Sequence, residues 1–274
     1  MKVKILAPYW GSEHLSLVDF GSKIINAGYD GIDTWLPTEK ADKHQLFDFV
    51  QKNELHLVVQ QCEAEGDTFK KFKESFLKSL NLCLEASPVL INSHTGRDFF
   101  TFEQNLELID AAAEVSYKSG VIIAHETHRG RFGFSPGITA EYFKQRPDFA
   151  ITADFSHWVC VSESFLEGFE KTLQEAILRA RHIHSRVGFE QGPQIPDPRA
   201  PEWEYAVSAF LSWWDQIIEN NQRIGREIMT ITTEFGPVPY MPTIPYSQVP
   251  VASQFDVNCY MMELLKARYF STSN

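Results

Sequence analysis

Val121-Ile122-Ile123-Ala124-His125-Glu126-Thr127-His128 is the stretch on which the predicted fold depends. Four apolar residues run directly into a glutamate that is flanked by two histidines. A short apolar run with Gly120 before it and Arg129-Gly130 after it predicts a buried strand. A carboxylate at the end of a buried strand requires a metal ion, a cationic partner or a raised pKa. This strand end is therefore the first candidate for a functional site.

The same pattern, an apolar run that ends in a polar residue, recurs three times downstream. Residues 149–154 end at Asp154, residues 181–184 at His184 and residues 229–234 at Glu234. The first two steps along the chain are close to the roughly 30 residues that one strand and one helix require, and the third step is longer. The polar residue thus returns once per predicted β/α unit, always at the carboxyl end of a strand.

Strand and helix patterns alternate over the whole chain. Short apolar runs predict strands at residues 3–9, 29–35, 55–62, 89–94, 121–126, 149–154, 181–187 and 228–235. Helical spacing predicts helices at residues 17–27, 44–52, 68–85, 101–118, 139–145, 165–179, 203–225 and 254–269. Eight alternating units favour an α/β protein with a (β/α)₈ TIM barrel, as a single domain over residues 1–274. An open doubly wound sheet is the alternative, but the Gly-rich turn usual after its first strand is not found in Pro8-Tyr9-Trp10-Gly11.

The carboxyl ends of the strands of such a barrel form one mouth, where four predicted metal ligands on adjacent strands meet: Glu126, Asp154, His184 and Glu234. Because side chains alternate between the two faces of a strand, the layer below them is Ala124, Thr152, His182 and Thr232. This mixed oxygen and nitrogen set suits one divalent metal ion, Mn²⁺, Mg²⁺, Co²⁺ or Zn²⁺. The alternative is a set of rim carboxylates and histidines that meet arginines or water.

Several other polar and aromatic residues fall near the predicted mouth. His157 follows Asp154 by three residues and is expected to reach the substrate or a second metal, or else to pack on Trp158 as a loop histidine. Arg186 shares the face of His184 and is expected to bind substrate, unless it lies on the surface. His94 and Trp35 end predicted strands, so we expect His94 to contact substrate and Trp35 to flank a sugar.

Two loops around the mouth also carry predictions. His128, Arg129 and Arg131 could form a basic corner for a phosphate or carboxylate, or could be solvated loop residues. The segment 188–202 contains four prolines and is expected to form a semi-rigid flap over the mouth.

Composition limits the classes of partner. A net charge of -11 and a pI near 5.3 disfavour nonspecific binding to nucleic acid or to an anionic membrane. Four scattered cysteines, without a signal peptide or a long apolar run, favour a reduced, cytoplasmic protein. The aromatic run at helical spacing fits either the core or a subunit contact, so that a homo-oligomer is compatible with the sequence: Trp203, Phe210, Trp213 and Trp214.

The chain resembles the xylose-isomerase-like TIM-barrel superfamily of sugar epimerases and isomerases. A first motif that carries this resemblance is Ala27-Gly28-Tyr29-Asp30-Gly31-Ile32-Asp33, which is similar to the Gly-aromatic-x-Gly-Ile-Glu turn common in the superfamily. The resemblance to the ketose 3-epimerases of this group implies that one divalent metal is bound by Glu126, Asp154, the second histidine of His182-Ile183-His184, and Glu234. It also implies that the His of Asp154-x-x-His157 contacts substrate. The substrate-binding arginine of those epimerases lies several residues after the histidine, whereas Arg186 follows His184 by only two.

The function expected from these residues is metal-dependent isomerisation or epimerisation of a sugar or sugar phosphate through an enediolate. Glu126 and Glu234 would then be the base and the acid. A polyol dehydratase of the inosose type could use the same site. An endonuclease IV-like phosphodiester hydrolase is a further alternative, although the Asp-x-His motif that it needs after the seventh strand is not found after His184. A non-catalytic sugar-binding barrel is the last alternative.

Overall fold

The computed structural model describes residues 1–270 and contains a closed barrel of eight parallel strands in chain order, as predicted. The strands are β1 (Lys2–Pro8), β2 (Gly31–Thr34), β3 (His56–Gln61), β4 (Leu90–Ser93), β5 (Ile123–Glu126), β6 (Ala150–Ala153), β7 (Ala180–His184) and β8 (Ile228–Thr232). Pairing of β1 with β8, from Lys2 opposite Ile228 to Leu6 opposite Thr232, closes the ring. An open sheet is therefore excluded.

Nine α-helices surround the barrel within residues 1–270. They are α1 (Leu17–Ala27), α2 (Lys40–Lys52), α3 (Phe69–Leu84), α4 (Phe102–Ser119), α5 (Pro136–Gln145), α6 (Phe155–Ser162), α7 (Glu170–Arg179), α8 (Glu204–Arg223) and α9 (Gln254–Phe270). Helix α4 begins with a capping box, since the side chains of Thr101 and Gln104 each accept a hydrogen bond from the other's backbone N–H.

The region after the sixth strand differs from the prediction. Residues 155–162 form α6, which was not predicted, and the helix expected at 165–179 begins only at Glu170. The Asp154 side chain accepts a hydrogen bond from the backbone N–H of Ser156 and so caps α6. The buried side chains of Phe155 and Trp158 hold this short helix against the core. Asp154 is thus a helix cap as well as a strand-end residue.

The apolar core has two parts. The larger lies between the strands and the helices, and includes Ile5, Ile32 and Phe76. The smaller is a separate cluster of strand residues inside the barrel: Leu6, Val58, Leu90 and Ala124. Polar side chains replace apolar ones toward the carboxyl end of the barrel, where the mouth lies. Within residues 1–270, none of the helices is long and apolar enough to cross a bilayer.

Candidate metal and substrate site at the mouth of the barrel

The four predicted metal ligands lie together. Glu126 and His184 are the last residues of β5 and β7, Asp154 directly follows β6, and Glu234 lies two residues after β8. All four are buried, and each offers a ligand atom within 4.8 Å of those of the other three. The four side chains therefore converge on one place at the mouth and are not dispersed around its rim.

His184 has a different partner on each ring nitrogen. Its Nδ1 lies 2.6 Å from Glu234 Oε2 and 3.7 Å from Glu126 Oε2, while its Nε2 lies 3.3 Å from Asp33 Oδ2. An ionised carboxylate only accepts hydrogen bonds, so Nε2 carries the proton toward Asp33. A histidine that donates one N–H to a carboxylate and offers the other nitrogen to a metal is the usual arrangement in metalloproteins. Asp33 therefore fixes the tautomer that a ligand would need.

Asp33 is a residue of the site that sequence reasoning missed. It lies in β2, is 1% exposed and also accepts a hydrogen bond of 2.7 Å from Thr232 Oγ1. Burial alone would raise the pKa of Asp33, but hydrogen bonds from His182 and His184 outweigh burial and lower its pKa. The signal was present in the sequence, because Asp33 is, like Glu126, a carboxylate near the end of a predicted buried strand.

Glu126 is held through one of its two oxygens. Asn92 Nδ2 donates to Oε2 at 2.6 Å, and His94 Nε2 lies 2.8 Å from the same atom. Arg131 Nη2 lies 3.4 Å from His94 Nδ1, and because a guanidinium only donates, Nδ1 accepts and the His94 proton is on Nε2. The second oxygen of Glu126, Oε1, is buried without a hydrogen-bond partner among the described residues. His94 therefore orients a predicted ligand, and Oε1 is left for the ion.

Arg186 is paired with the protein's own carboxylates. It is 1% exposed, its Nη2 donates to Asp154 Oδ2, and the same atom lies 3.5 Å from Glu234 Oε2. Its Nη2 also lies 2.9 Å from His157 Nε2, so that His157 accepts there and carries its proton on Nδ1. Burial would lower the pKa of Arg186, but Asp154 and Glu234 outweigh burial and raise it. Arg186 thus offsets the charge of two predicted ligands.

The two remaining predicted substrate residues lie in different surroundings. His157 is completely buried, its ring centroid is 4.0 Å from that of His128, and its Nδ1 has no hydrogen-bond partner within residues 1–270. Burial, together with the charge of Arg186, lowers the pKa of His157 well below its ordinary value, so the ring is neutral. Trp35 packs against Tyr9 and lines a cavity of about 330 Å³ with Tyr9, Pro37 and Gln45.

The cover of the mouth comes mainly from a segment that was not predicted to have this role. Tyr240, in the Pro-rich segment 236–250, accepts a hydrogen bond of 3.2 Å from Arg129 Nη2, and its ring lies 4.8 Å from the Arg186 guanidinium. The expected flap 188–202 reaches the same region through Gln194, whose side chain bonds both backbone groups of Gly236. The sequence carried no signal that would bring residue 240 back over the barrel.

These residues fit a divalent metal ion. Three predicted ligands have a buried atom without a hydrogen-bond partner among the described residues: Glu126 Oε1, His184 Nδ1 and Glu234 Oε2. Nδ1 of His184 lies 2.6 Å from Oε2 of Glu234 and 3.7 Å from Oε2 of Glu126, so the three groups are close enough to contact one ion. The oxygen and nitrogen donors suit Mg²⁺, Mn²⁺, Co²⁺ or Zn²⁺.

Two further groups of acids and histidines are better explained by hydrogen bonds. One consists of Asp33, His182 and His184, in which His182 Nδ1 lies 2.7 Å from Thr230 Oγ1. The other consists of His94, Glu126 and His128, in which His94 carries its proton on the nitrogen that faces Glu126. In each group one histidine nitrogen, Nε2 of His184 or Nε2 of His94, carries its proton toward the carboxylate and so has no lone pair for a further ion.

Comparisons with known proteins place the fold. Neither a protein-family model nor a curated protein sequence matches this chain. Among solved structures, a 3-keto-D-glucoside 4-epimerase from E. coli is similar, with a TM-score of 0.64, 12% identity, and 97% of this chain and 100% of that chain covered. A D-tagatose 3-epimerase-like protein is similar with a TM-score of 0.62, 15% identity, and coverage of 99% and 97%.

Two more similar structures widen the range of chemistry. The "probable 3-DHS dehydratase" of Bacillus anthracis has a TM-score of 0.61 and 14% identity, with 97% of this chain and 99% of that chain covered. A xylose isomerase-like TIM-barrel protein from Mycobacterium smegmatis, solved with magnesium, has a TM-score of 0.62 and 10% identity, with 96% and 97% covered. The chain therefore has the fold of the xylose isomerase-like TIM-barrel proteins, in agreement with the resemblance noted in the sequence.

Proposed function

We propose that this chain is a metal-dependent enzyme that isomerises or epimerises a sugar or sugar phosphate by proton transfer through an enediolate of the substrate. The observation that carries this proposal is a pair of buried carboxyl groups, Glu126 and Glu234, that both lie within 3.7 Å of His184 Nδ1. Epimerases among the similar structures support it. When bound, a divalent ion would be held by Glu126, Asp154, His184 and Glu234, and would hold vicinal oxygens of the substrate and polarise its carbonyl.

The two carboxyl groups have opposite electrostatic surroundings. Burial raises the pKa of both. At Glu126, His94 and His184 outweigh burial and lower the pKa well below its ordinary value. At Glu234 burial dominates over His184 and Arg186, and the pKa is raised. Paired carboxyls whose pKa values are pushed apart supply a base and an acid. We assign the proton acceptor to Glu126, which Asn92 and His94 orient through Oε2, and the proton donor to Glu234.

Neighbouring residues would position these groups and the substrate. Asn92 and His94 hold Oε2 of Glu126 in place and leave Oε1 for the ion. His157 is a neutral imidazole whose Nδ1–H can donate to a substrate hydroxyl. Tyr240 and Arg186 exclude water from the same side by packing over the carboxylates.

Proton exchange tests this assignment directly. The protein loaded with Mn²⁺ or Mg²⁺ is incubated in D₂O with a panel of ketoses and ketose phosphates, and loss of the proton next to the carbonyl is followed by NMR. Glu126→Gln and Glu234→Gln are each expected to slow exchange by roughly a hundredfold or more. Glu141→Gln, on the outer face of α5, is the control. Exchange that is unchanged in Glu234→Gln would remove that residue from the chemistry.

A dehydratase is the second candidate, because a third proton-transfer group lies at the mouth. His128 Nδ1 donates to the carbonyl of Arg129 at 2.5 Å, so its Nε2 carries the lone pair. Burial lowers the pKa of His128 to about 3, so the ring is neutral and is a weaker base than an exposed histidine. A base here could take a proton next to the carbonyl, while Glu234 protonates a hydroxyl that leaves as water. An absorbance rise from the resulting conjugated product would favour dehydration over proton exchange alone.

A further inference from the structure

The turn after β5 contains two arginines without an acidic partner. Within residues 1–270, neither Arg129 nor Arg131 forms an ion pair with a carboxylate. Three exposed arginines do have such a partner, since Arg146, Arg199 and Arg268 each pair with an aspartate, whereas the exposed Arg223 bonds to the Asn220 amide instead. Two unpaired guanidinium groups beside one site are notable in a chain with a net charge of -11.

The hydrogen-bonding capacity of Arg131 is mostly unused. Nη1 makes only a long contact of 3.4 Å to the Gly130 carbonyl, and Nη2 one of 3.4 Å to His94 Nδ1. Nε is buried and has no hydrogen-bond partner among the described residues. A guanidinium offers five N–H donors in a planar fork that matches a carboxylate or a phosphoryl group. A buried donor of this kind is costly unless it binds something.

The backbone that carries Arg131 is rigidly placed. The N–H of Arg131 bonds to the carbonyl of His128 at 3.2 Å, and the N–H of Phe132 bonds to that of Thr95 at 3.3 Å. The Phe132 side chain is 2% exposed and packs edge-on against Phe149. The arginine is therefore held by a packed turn, and a ligand would meet a preorganised group.

Arg131 is also connected to the proposed catalytic carboxylate. It donates to His94, and His94 in turn donates to Glu126. Arg129 lies in the same turn and bonds to Tyr240 above the mouth. An anionic group on Arg131 would thus place the rest of its molecule beside Glu126. Arg186 cannot serve in the same way, since Asp154 and Glu234 occupy its guanidinium.

We propose that Arg131, assisted by Arg129, binds an anionic group of the substrate, either a carboxylate or a phosphoryl group. This inference rests on the proposed function, since it names the substrate class of the same site. The substrate is then an acidic sugar derivative, a hydroxy-keto acid or a ketose phosphate, and not a neutral sugar.

Calorimetric titration of the Mn²⁺-loaded protein tests this with three probes: D-fructose, D-fructose 6-phosphate and 2-keto-D-gluconate. We expect at least one charged probe to bind about tenfold or more tightly than fructose, since hydrogen bonds to a charged group contribute this much. Arg131→Gln should abolish the difference, Arg131→Lys should restore part of it, and Arg146→Gln should leave it intact. Preference for the phosphate or for the keto acid identifies the anionic group.

Equal binding of charged and neutral probes by the wild type, or no binding of any charged probe, would overturn the proposal. Discrimination that persists in Arg131→Gln would overturn it as well, because the anion would then be held elsewhere. A melting curve of each variant verifies that it is folded. Proton exchange in D₂O, measured in parallel, separates the two proposals. Tighter binding of charged probes without proton exchange contradicts the enzymatic function alone. Proton exchange without tighter binding of charged probes contradicts the anion site alone.

Discussion

A single buried carboxylate, Asp33, sets the state of the candidate ligand His184. The two residues are 151 positions apart in the chain, and only barrel closure brings them to 3.3 Å. Partners of this kind raise the basicity of a ligand and fix its orientation. Asp33 is also one member of a buried polar network with His182 and Thr232, so that its influence reaches the layer below the ligands.

Asp33→Asn is therefore expected to weaken metal binding about 10- to 100-fold, because the amide cannot stabilise His184 as a carboxylate does. Titration of the metal-stripped protein with Mn²⁺ measures the dissociation constant. Asp30→Asn is a matched control directly before β2, since Asp30 pairs with Lys4 outside the site. An unchanged Mn²⁺ affinity in Asp33→Asn would show that Asp33 does not act through His184.

His125 makes the stability depend on pH. It points away from the ligands, is 2% exposed and packs between Phe132 and Phe149. Burial lowers its pKa from 6.5 to about 3, so protonation favours the unfolded chain. The stability that His125 contributes is complete above its unfolded pKa and is lost as the pH falls from there toward about 3.

Between pH 7 and pH 5, the burial of neutral His125 is expected to lower the free energy of unfolding by about 2 kcal/mol. The free energy of unfolding is measured by urea denaturation at both pH values for the wild type and for His125→Gln. Comparing the two proteins separates the effect of His125 from that of the other titrating groups. The wild type should lose more stability than the variant on acidification. Parallel losses in the two proteins would mean that His125 is not buried in its neutral form.

At the scale of elements, the approach of β2 to β3 depends on a glycine. A Cβ atom added at Gly31 would overlap the backbone carbonyl of His56, the residue opposite it in the sheet. Backbone atoms cannot move aside without disturbing the pairing. The same strand carries Asp33, so the glycine also determines the position of that carboxylate.

Gly31→Ala is expected to lower the free energy of unfolding by about 2 kcal/mol or more, because overpacking against a rigid partner costs this much. Gly137→Ala in α5 is the control, since a Cβ there meets only a Phe169 ring atom at 3.7 Å and the backbone is helical. That variant should be neutral or slightly stabilising. Chemical denaturation measures both, and equal stabilities would contradict the steric argument.

The loops that follow the strands supply further residues to the site. The turn after β5 supplies His128, Arg129 and Arg131, and the segment after β8 supplies Tyr240. Helix α6 begins at the candidate ligand Asp154, which is both its cap and the partner of Arg186. A strand end that is also a helix cap has little freedom, which suits a group that must keep a fixed position.

At the scale of the whole molecule, an ion bound by four strands would tie β5, β6, β7 and β8 together. Binding to the folded state alone stabilises it by about 2.7 kcal/mol when the free ion is at 100 times its dissociation constant. For a chain of this size, we expect Mn²⁺ to raise the melting temperature of the metal-stripped protein by roughly 5 °C or more. A chelator should reverse the shift, and Asp154→Asn should abolish it. A melting temperature that does not respond to any divalent ion would contradict the metal site.

Much of this architecture could be predicted, because the responsible patterns are local. The alternation of apolar runs and helical spacing determined eight β/α units, and strand parity determined which side chains share a face. Since parallel strands end at one mouth, the polar residues that end β5 to β8 could be assigned to one site before the structure was known. The boundaries near Asp154 were wrong because a helix cap and a loop have the same composition there.

The sequence by itself thus determined the barrel and the four acids and histidines at its mouth, for which periodicity and direction are sufficient. Only the tertiary structure decided which side chains meet across the ring: Asp33 with His184, Arg186 with Asp154, Arg131 with His94, and Tyr240 with Arg129. Such pairs depend on the closure of β1 onto β8 and on the paths of the loops. No local pattern encodes the distance between residues that are far apart in the chain.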